Sequence, residues 1–206
     1  MVYLDIETLD FFSDPHIKSL PRSEQLQAIR FGCAVTYDAR ADEWLEWTDA
    51  LDLCESILIW GRPIVGWNVQ DFDWSVVVSN AEREGWNPLG GEYQPQFIDL
   101  FDEIRKTTGR WYKLEDVCQW NLGRGKLADG QAAKEWLRSG DPDLVRQAFE
   151  YCRHDVELTV SLHSRLLSGE PLRLLPRPAR QELNEIRWWL DRHERIPDAT
   201  GAISTK

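Results

Sequence analysis

The stretch V-Y-L-D-I-E-T-L-D, residues 2–10, begins as a buried β-strand and then breaks its own pattern. Residues 2–6 read as that strand, and side chains two apart on a strand point to the same face. Asp5 and Glu7 therefore aim two carboxylates at one small patch, where they repel each other and lose hydration. A cation held between them relieves both costs. The stretch predicts a strand that carries a metal site.

Outward from it, strand-like and helix-like segments alternate. F-G-C-A-V-T-Y-D (31–38) and W-L-E-W-T (44–48) read as two strands joined by the polar turn A-R-A-D. Helical spacing covers 49–60, I-V-G-W (64–67) is a short buried strand, and the run after Asp73 suits a helix ending at Gly85. Q-F-I-D-L (96–100) is a further strand, and helical segments follow near 100–108, 113–121 and 131–138. Asp141-Pro142 marks a helix start, a capping acid with proline in the first turn. That helix runs to the neighbourhood of Gly169, and a Pro-rich connector (171–178) leads to one more helix at about 179–194. Such interleaving indicates an α/β layer fold with a central sheet.

Bulk properties narrow the function classes. With 206 residues the chain fits one domain with an appendage. No run approaches the roughly 18 apolar residues of a membrane span, and the expected setting is cytoplasmic. Cys33, Cys54, Cys118 and Cys152 are scattered without a C-x-x-C pair, so reduced thiols are expected rather than zinc or a disulfide framework. The net charge of −11 argues against a passive nucleic-acid coat protein, which neutralises phosphate with Lys and Arg. It does not argue against a metal-dependent nuclease, because bound divalent cations present positive charge to phosphate.

Two later stretches concentrate acids. In I-V-G-W-N-V-Q-D-F-D-W (64–74) an apolar strand runs into Asn68, and Asp71 and Asp73 flank Phe72 at a helix start. Acids there are often simple caps, which is the reading for Asp71 and stays open for Asp73. In E-Y-C-R-H-D-V-E-L (150–158) Tyr151 and Asp155 are four apart and share a helix face. They lie close to an apolar stripe of Ala148, Cys152 and Leu158, a poor place for a carboxylate unless something pairs with it. An ion pair of Asp155 with Arg153 or Arg165 is the plain alternative, and His154 reads as a surface or packing residue.

The order D-x-E on a first strand, N-x-x-x-F-D after a later strand and Y-x-x-x-D in a late helix resembles the DEDD 3′–5′ exonucleases of the ribonuclease H-like superfamily. The Y-x-x-x-D spacing matches their tyrosine branch. G-W-N-V-Q-D-F-D, Y-K-L-E-D-V and Y-C-R-H-D-V-E-L look most like the exonuclease domain of family B DNA polymerases. The resemblance implies an α/β, ribonuclease H-like fold: a central mixed β-sheet flanked by helices, over residues 1–168. Residues 169–206 are then a connector, a C-terminal helix and a polar tail. It also implies that Asp5, Glu7, Asp73 and Asp155 hold two divalent cations, Mg²⁺ or Mn²⁺, and that Tyr151 positions the attacking water. Hard cations of this kind prefer carboxylate oxygens, and a pair about 3.5–4 Å apart serves both nucleophile and leaving group.

The implied substrate is a single-stranded 3′ end, DNA ahead of RNA, and the implied partner a separate polymerase or a replication or repair protein. Leu9 occupies a place where the family inserts an apolar side chain between terminal bases, with Phe11 and Phe12 following, and Asn68 resembles a residue near the scissile end. R-K-T-T-G-R-W-Y-K (105–113) is the most basic run with interleaved aromatics, which nominates Arg110, Trp111, Tyr112 and Lys113 as backbone contacts, with Arg124 and Lys126 close behind. Two other readings remain: a catalytically silent module that binds nucleic acid or a polymerase, and an exoribonuclease of the ribonuclease D type.

Overall fold

Five strands make one mixed sheet in the computed structural model, which describes residues 1–87, 95–125, 130–175 and 184–186. They are β1 (Val2–Thr8), β2 (Phe31–Asp38), β3 (Glu43–Trp47), β4 (Ile64–Gly66) and β5 (Phe97–Asp99), in the spatial order β3-β2-β1-β4-β5. Central β1 is antiparallel to β2, with Asp5 opposite Val35 and Glu7 opposite Cys33, and parallel to β4. The register shifts between Glu7 and Thr8, so the ladder is disturbed where the acids end.

Alternation along β1 divides two apolar cores. Tyr3 joins Val35, Val65 and Ile98 on one face, packed by residues of α5 (Leu100–Thr108), α6 (Leu114–Leu122) and the 26-residue α8 (Pro142–Leu167). Leu4 and Ile6 join Ala34 and Ile64 on the other, packed by α3 (Ala50–Trp60) and α4 (Trp74–Arg83). Both faces are covered, which is why β1 reads as apolar at both parities until Asp5. Asp5 and Glu7 continue the Tyr3 face, toward α8.

Capping of α8 acts where the sequence places it, and α3 is capped as well. Asp141 accepts a hydrogen bond from the Asp143 amide with Pro142 in the first turn of α8, and Asp49 accepts from the Asp52 amide at the start of α3. Helices α1 (Pro15–Lys18), α2 (Arg22–Ala28) and α7 (Gly130–Ser139) complete the described set. The first two escaped the sequence reading. They are four and seven residues long, and too short to show a periodic apolar face.

The C-terminal segment differs from expectation. Residues 184–186, inside the segment read as a helix over 179–194, form strand β7 (Asn184–Ile186), antiparallel to β6 (Leu172–Leu174). Pairing with a strand twelve residues earlier overrides local helical spacing. The rest of that helix, like Lys126, lies outside the described residues. Leu172 and Leu174 are buried in the first core, and the Asn121 side chain bonds both the amide and the carbonyl of Arg173. No helix among the described residues is long and apolar enough to cross a membrane.

Candidate metal centre and nucleic-acid cleft

The first-strand acids meet α8. Carboxylate oxygens of Asp5, Glu7 and Asp155 all lie within 4.8 Å of one another. Asp155 and Tyr151 are each 1% exposed, one helical turn apart, while Asp5 and Glu7 are half-buried. Cys152, between them on α8, brings its Sγ 3.2 Å from the Asp5 carbonyl oxygen and so ties the helix to the strand directly behind the acids. Burial, then neighbouring Cys33 and Asp5, pushes the Cys152 thiol well above its ordinary range, which keeps it a neutral donor.

Asp73 arrives from the other side. Chain leaving β4 turns sharply: a side chain at Gly66 would come 2.4 Å from Cβ of Val69, and Asn68 adopts a left-handed φ of 61°. A π-helical stretch, Val69–Asp73, follows and hands over to α4. Asp99 holds this turn. Its two carboxylate oxygens accept from the Asn68 and Gln70 amides at 2.9 and 3.0 Å, and Oδ1 also caps α5 through Phe101 and Asp102. Asp73 thereby reaches β1, where its Oδ1 accepts the Ile6 amide at 3.2 Å, between Asp5 and Glu7. It is 4% exposed. Burial, then the charges of Asp5 and Asp99, pushes its carboxyl well above the usual carboxylate range. A site that gathers this much like charge suits a divalent cation, and an all-carboxylate donor set suits a hard one.

A cleft of about 490 Å³ opens over these groups. Asp5, Glu7, Asp73, Tyr151 and Asp155 all line it. Among the nominated substrate contacts, Phe11, Asn68, Tyr112 and Lys113 line it too, whereas Leu9, Phe12, Arg110 and Trp111 do not. Leu9 is half-buried with its amide on the Arg30 carbonyl. Phe12 packs on the second core with its ring 6.1 Å from Phe72. Trp111 stands outside the cleft, 70% exposed.

Several neighbours were not singled out from sequence. Trp67, Phe101 and Glu115 line the cleft, and Asp99 organises its floor; only its position before an apolar helix hinted at a cap. The plain readings of other groups resolve clearly. Arg153 pairs with Glu157 and Arg165 with Glu170. His154 Nε2 lies 3.0 Å from the Gly125 carbonyl oxygen, a packing role. Asp71 is exposed in the first turn of the π-helical stretch, 3.9 Å from Arg105.

Known proteins resemble this chain in sequence. Residues 2–167 match the sequence profile of the RNase H superfamily. The DNA polymerase catalytic subunit of Tupaiid herpesvirus 1 (strain 1) is 27% identical over 173 residues, covering 65% of this chain. The chain spans only 15% of that relative's length. The profile runs from β1 to the end of α8, enclosing every acid of the cleft together with the mixed sheet that carries them, and the chain belongs to the RNase H superfamily.

Proposed function

We propose that this chain is a metal-dependent 3′–5′ exonuclease, hydrolysing phosphodiester bonds at the 3′ end of single-stranded DNA to release 5′-mononucleotides. The observation that carries the reading is the mutual approach, within 4.8 Å, of oxygens from Asp5, Glu7 and Asp155 at the base of an aromatic-walled cleft. The donor chemistry fits Mg²⁺ or Mn²⁺, and Asp73, which lines the same cleft and accepts the Ile6 amide, is the further ligand of this reading. Two such ions, when bound, supply an ionised water near neutral pH and stabilise charge on the phosphate and the departing 3′ oxygen.

Everything else is the work of the chain. Tyr151 hydrogen-bonds and orients the attacking water through its hydroxyl on the cleft wall. Lys113, the one basic side chain on the cleft wall among the described residues, faces the phosphate, and Asn68 holds the terminal nucleotide. Phe11, Trp67, Phe72 and Phe101 give the bases apolar surface and limit bulk water. A polymerase or a replication or repair protein is the natural partner, since the relative it resembles is itself a polymerase subunit.

Digestion of 5′-labelled single strands with Mg²⁺ or Mn²⁺, beside Asp5→Ala, tests the activity. A ladder shortening from the 3′ end, absent in the variant, is expected; intact substrate with the wild type ends the reading. Matched RNA strands decide the sugar preference. Melting with and without Mn²⁺ tests the site independently of turnover: the wild type gains melting temperature and Asp155→Asn does not.

A further inference from the structure

A row of aromatic rings leads out of the cleft. Trp67 and Phe101 both line it, with ring centroids 5.9 Å apart, and Phe101 lies 5.2 Å from Trp111, which is outside. A single exposed aromatic on a surface needs no explanation. Trp111 is different because it is held. The Arg105 guanidinium lies 5.2 Å over its ring, and Arg105 is itself fastened by Asp102 and Asp71. Buried Tyr112 next in the chain, edge-on to Trp120, anchors the backbone. The indole is thus pre-positioned while 70% of its residue surface stays in water.

The surroundings indicate what covers it. Arg110 precedes Trp111 and Lys113 follows it by two residues, and neither has an ion-pair partner among the described residues. The Tyr112 hydroxyl, buried in the cleft wall, has no hydrogen-bond partner among the described residues and can serve a polar group entering there. Planar apolar surface, adjacent cations and continuity with the cleft match alternating bases and phosphates.

We propose that Trp111 is a stacking platform for unpaired bases upstream of the terminal nucleotide, making it a positioning residue that selects single-stranded over paired ends. The inference rests on the exonuclease reading for which end of the strand enters the cleft. Base pairing and stacking in a duplex leave no inner base face for the indole; a single strand emerging past Phe101 offers one.

The test compares wild type, Trp111→Ala and Trp111→Phe for binding of fluorescein-labelled dT8, rU8 and a blunt duplex by anisotropy, with Ca²⁺ in place of Mg²⁺. Trp111→Ala is expected to weaken binding of single strands by about 10-fold, and Trp111→Phe to recover most of it, while duplex binding moves in neither. The oligonucleotide should quench tryptophan emission in the wild type more than in Trp111→Phe. Equal affinity of wild type and Trp111→Ala for dT8 and rU8 overturns the inference. If Trp111-dependent binding appears without release of mononucleotides, the platform stands and the exonuclease reading falls. If the wild type binds no single strand, both fall.

Discussion

Two groups of acids, a few residues apart on the chain, meet opposite fates. Asp5 and Glu7 are brought toward other carboxylates, Asp155 from α8 and Asp73 from the π-helical stretch. Asp10 is brought toward cations. Fully buried, it receives Arg30 through two guanidinium bonds of 2.8 Å and Arg138 at 2.8 Å, with the imidazole of His16 also 3.1 Å away. Asp14 joins the same network through Lys134 and Arg138. Titration follows the company kept. Burial opposes ionisation of Asp10, yet hydrogen bonds from Arg30 and Arg138 hold its carboxyl well below the usual range, whereas Asp73 is pushed well above it. The first arrangement concentrates like charge at an electrostatic cost that a bound cation would relieve; the second locks α7 and the turn after β1 together.

Substitutions can break that contrast, starting with the largest effect. Asp155→Asn removes one carboxylate charge from the acidic cluster and is expected to cut the proposed 3′–5′ hydrolysis by about 10³-fold or more with the circular dichroism spectrum unchanged. Asp10→Asn should leave hydrolysis within a few-fold of wild type. Equal losses in the two variants would erase the distinction between the two groups of acids. Tyr151→Phe keeps the ring but not the hydroxyl, and single-turnover assays should show a fall of about 10²-fold.

Stability measurements sharpen the same contrast. Asp10→Ala should cost about 2–3 kcal/mol in urea unfolding, because Arg30 and Arg138 lose a buried acceptor they converge on. Since the folded carboxyl of Asp10 sits below its unfolded value, its contribution is present above the ordinary carboxylate range and is lost as pH falls through the folded value. The acid limb of the wild-type stability profile should therefore be steeper than that of Asp10→Asn. Asp73 carries the opposite sign: raised in the folded state, it favours folding at low pH and loses that benefit as pH rises. Asp73→Asn should raise the metal-free melting temperature at neutral pH by roughly 2–4 °C, the shift about 1 kcal/mol produces in a chain of this size. A lowered melting temperature would mean that Asp73 is a structural acid like Asp10.

Much of this was legible before any coordinates because the decisive signals are local and periodic. A spacing of two puts Asp5 and Glu7 on one strand face, a spacing of four puts Tyr151 and Asp155 on one helix face, and Asp141-Pro142 announces where that helix begins. Apart from the short helices α1 and α2, the strand and helix order through residue 167 follows from the same short-range patterns. Asp10 was invisible by the same logic, since its partners at 30 and 138 are named by no local spacing.

What the sequence by itself determined, then, is which side chains share an element face, because backbone geometry dictates that within a few residues. Which faces meet was decided only in the folded chain. Packing of α8 across β1 sets Asp155 against Asp5 and Glu7, and Asp99 clamps the turn that delivers Asp73 to the Ile6 amide. Pairing with β6 makes a strand of residues whose local spacing suggested a helix. These outcomes depend on contacts between residues far apart in the chain, where burial and hydrogen bonding outweigh the small local preferences that a sequence displays.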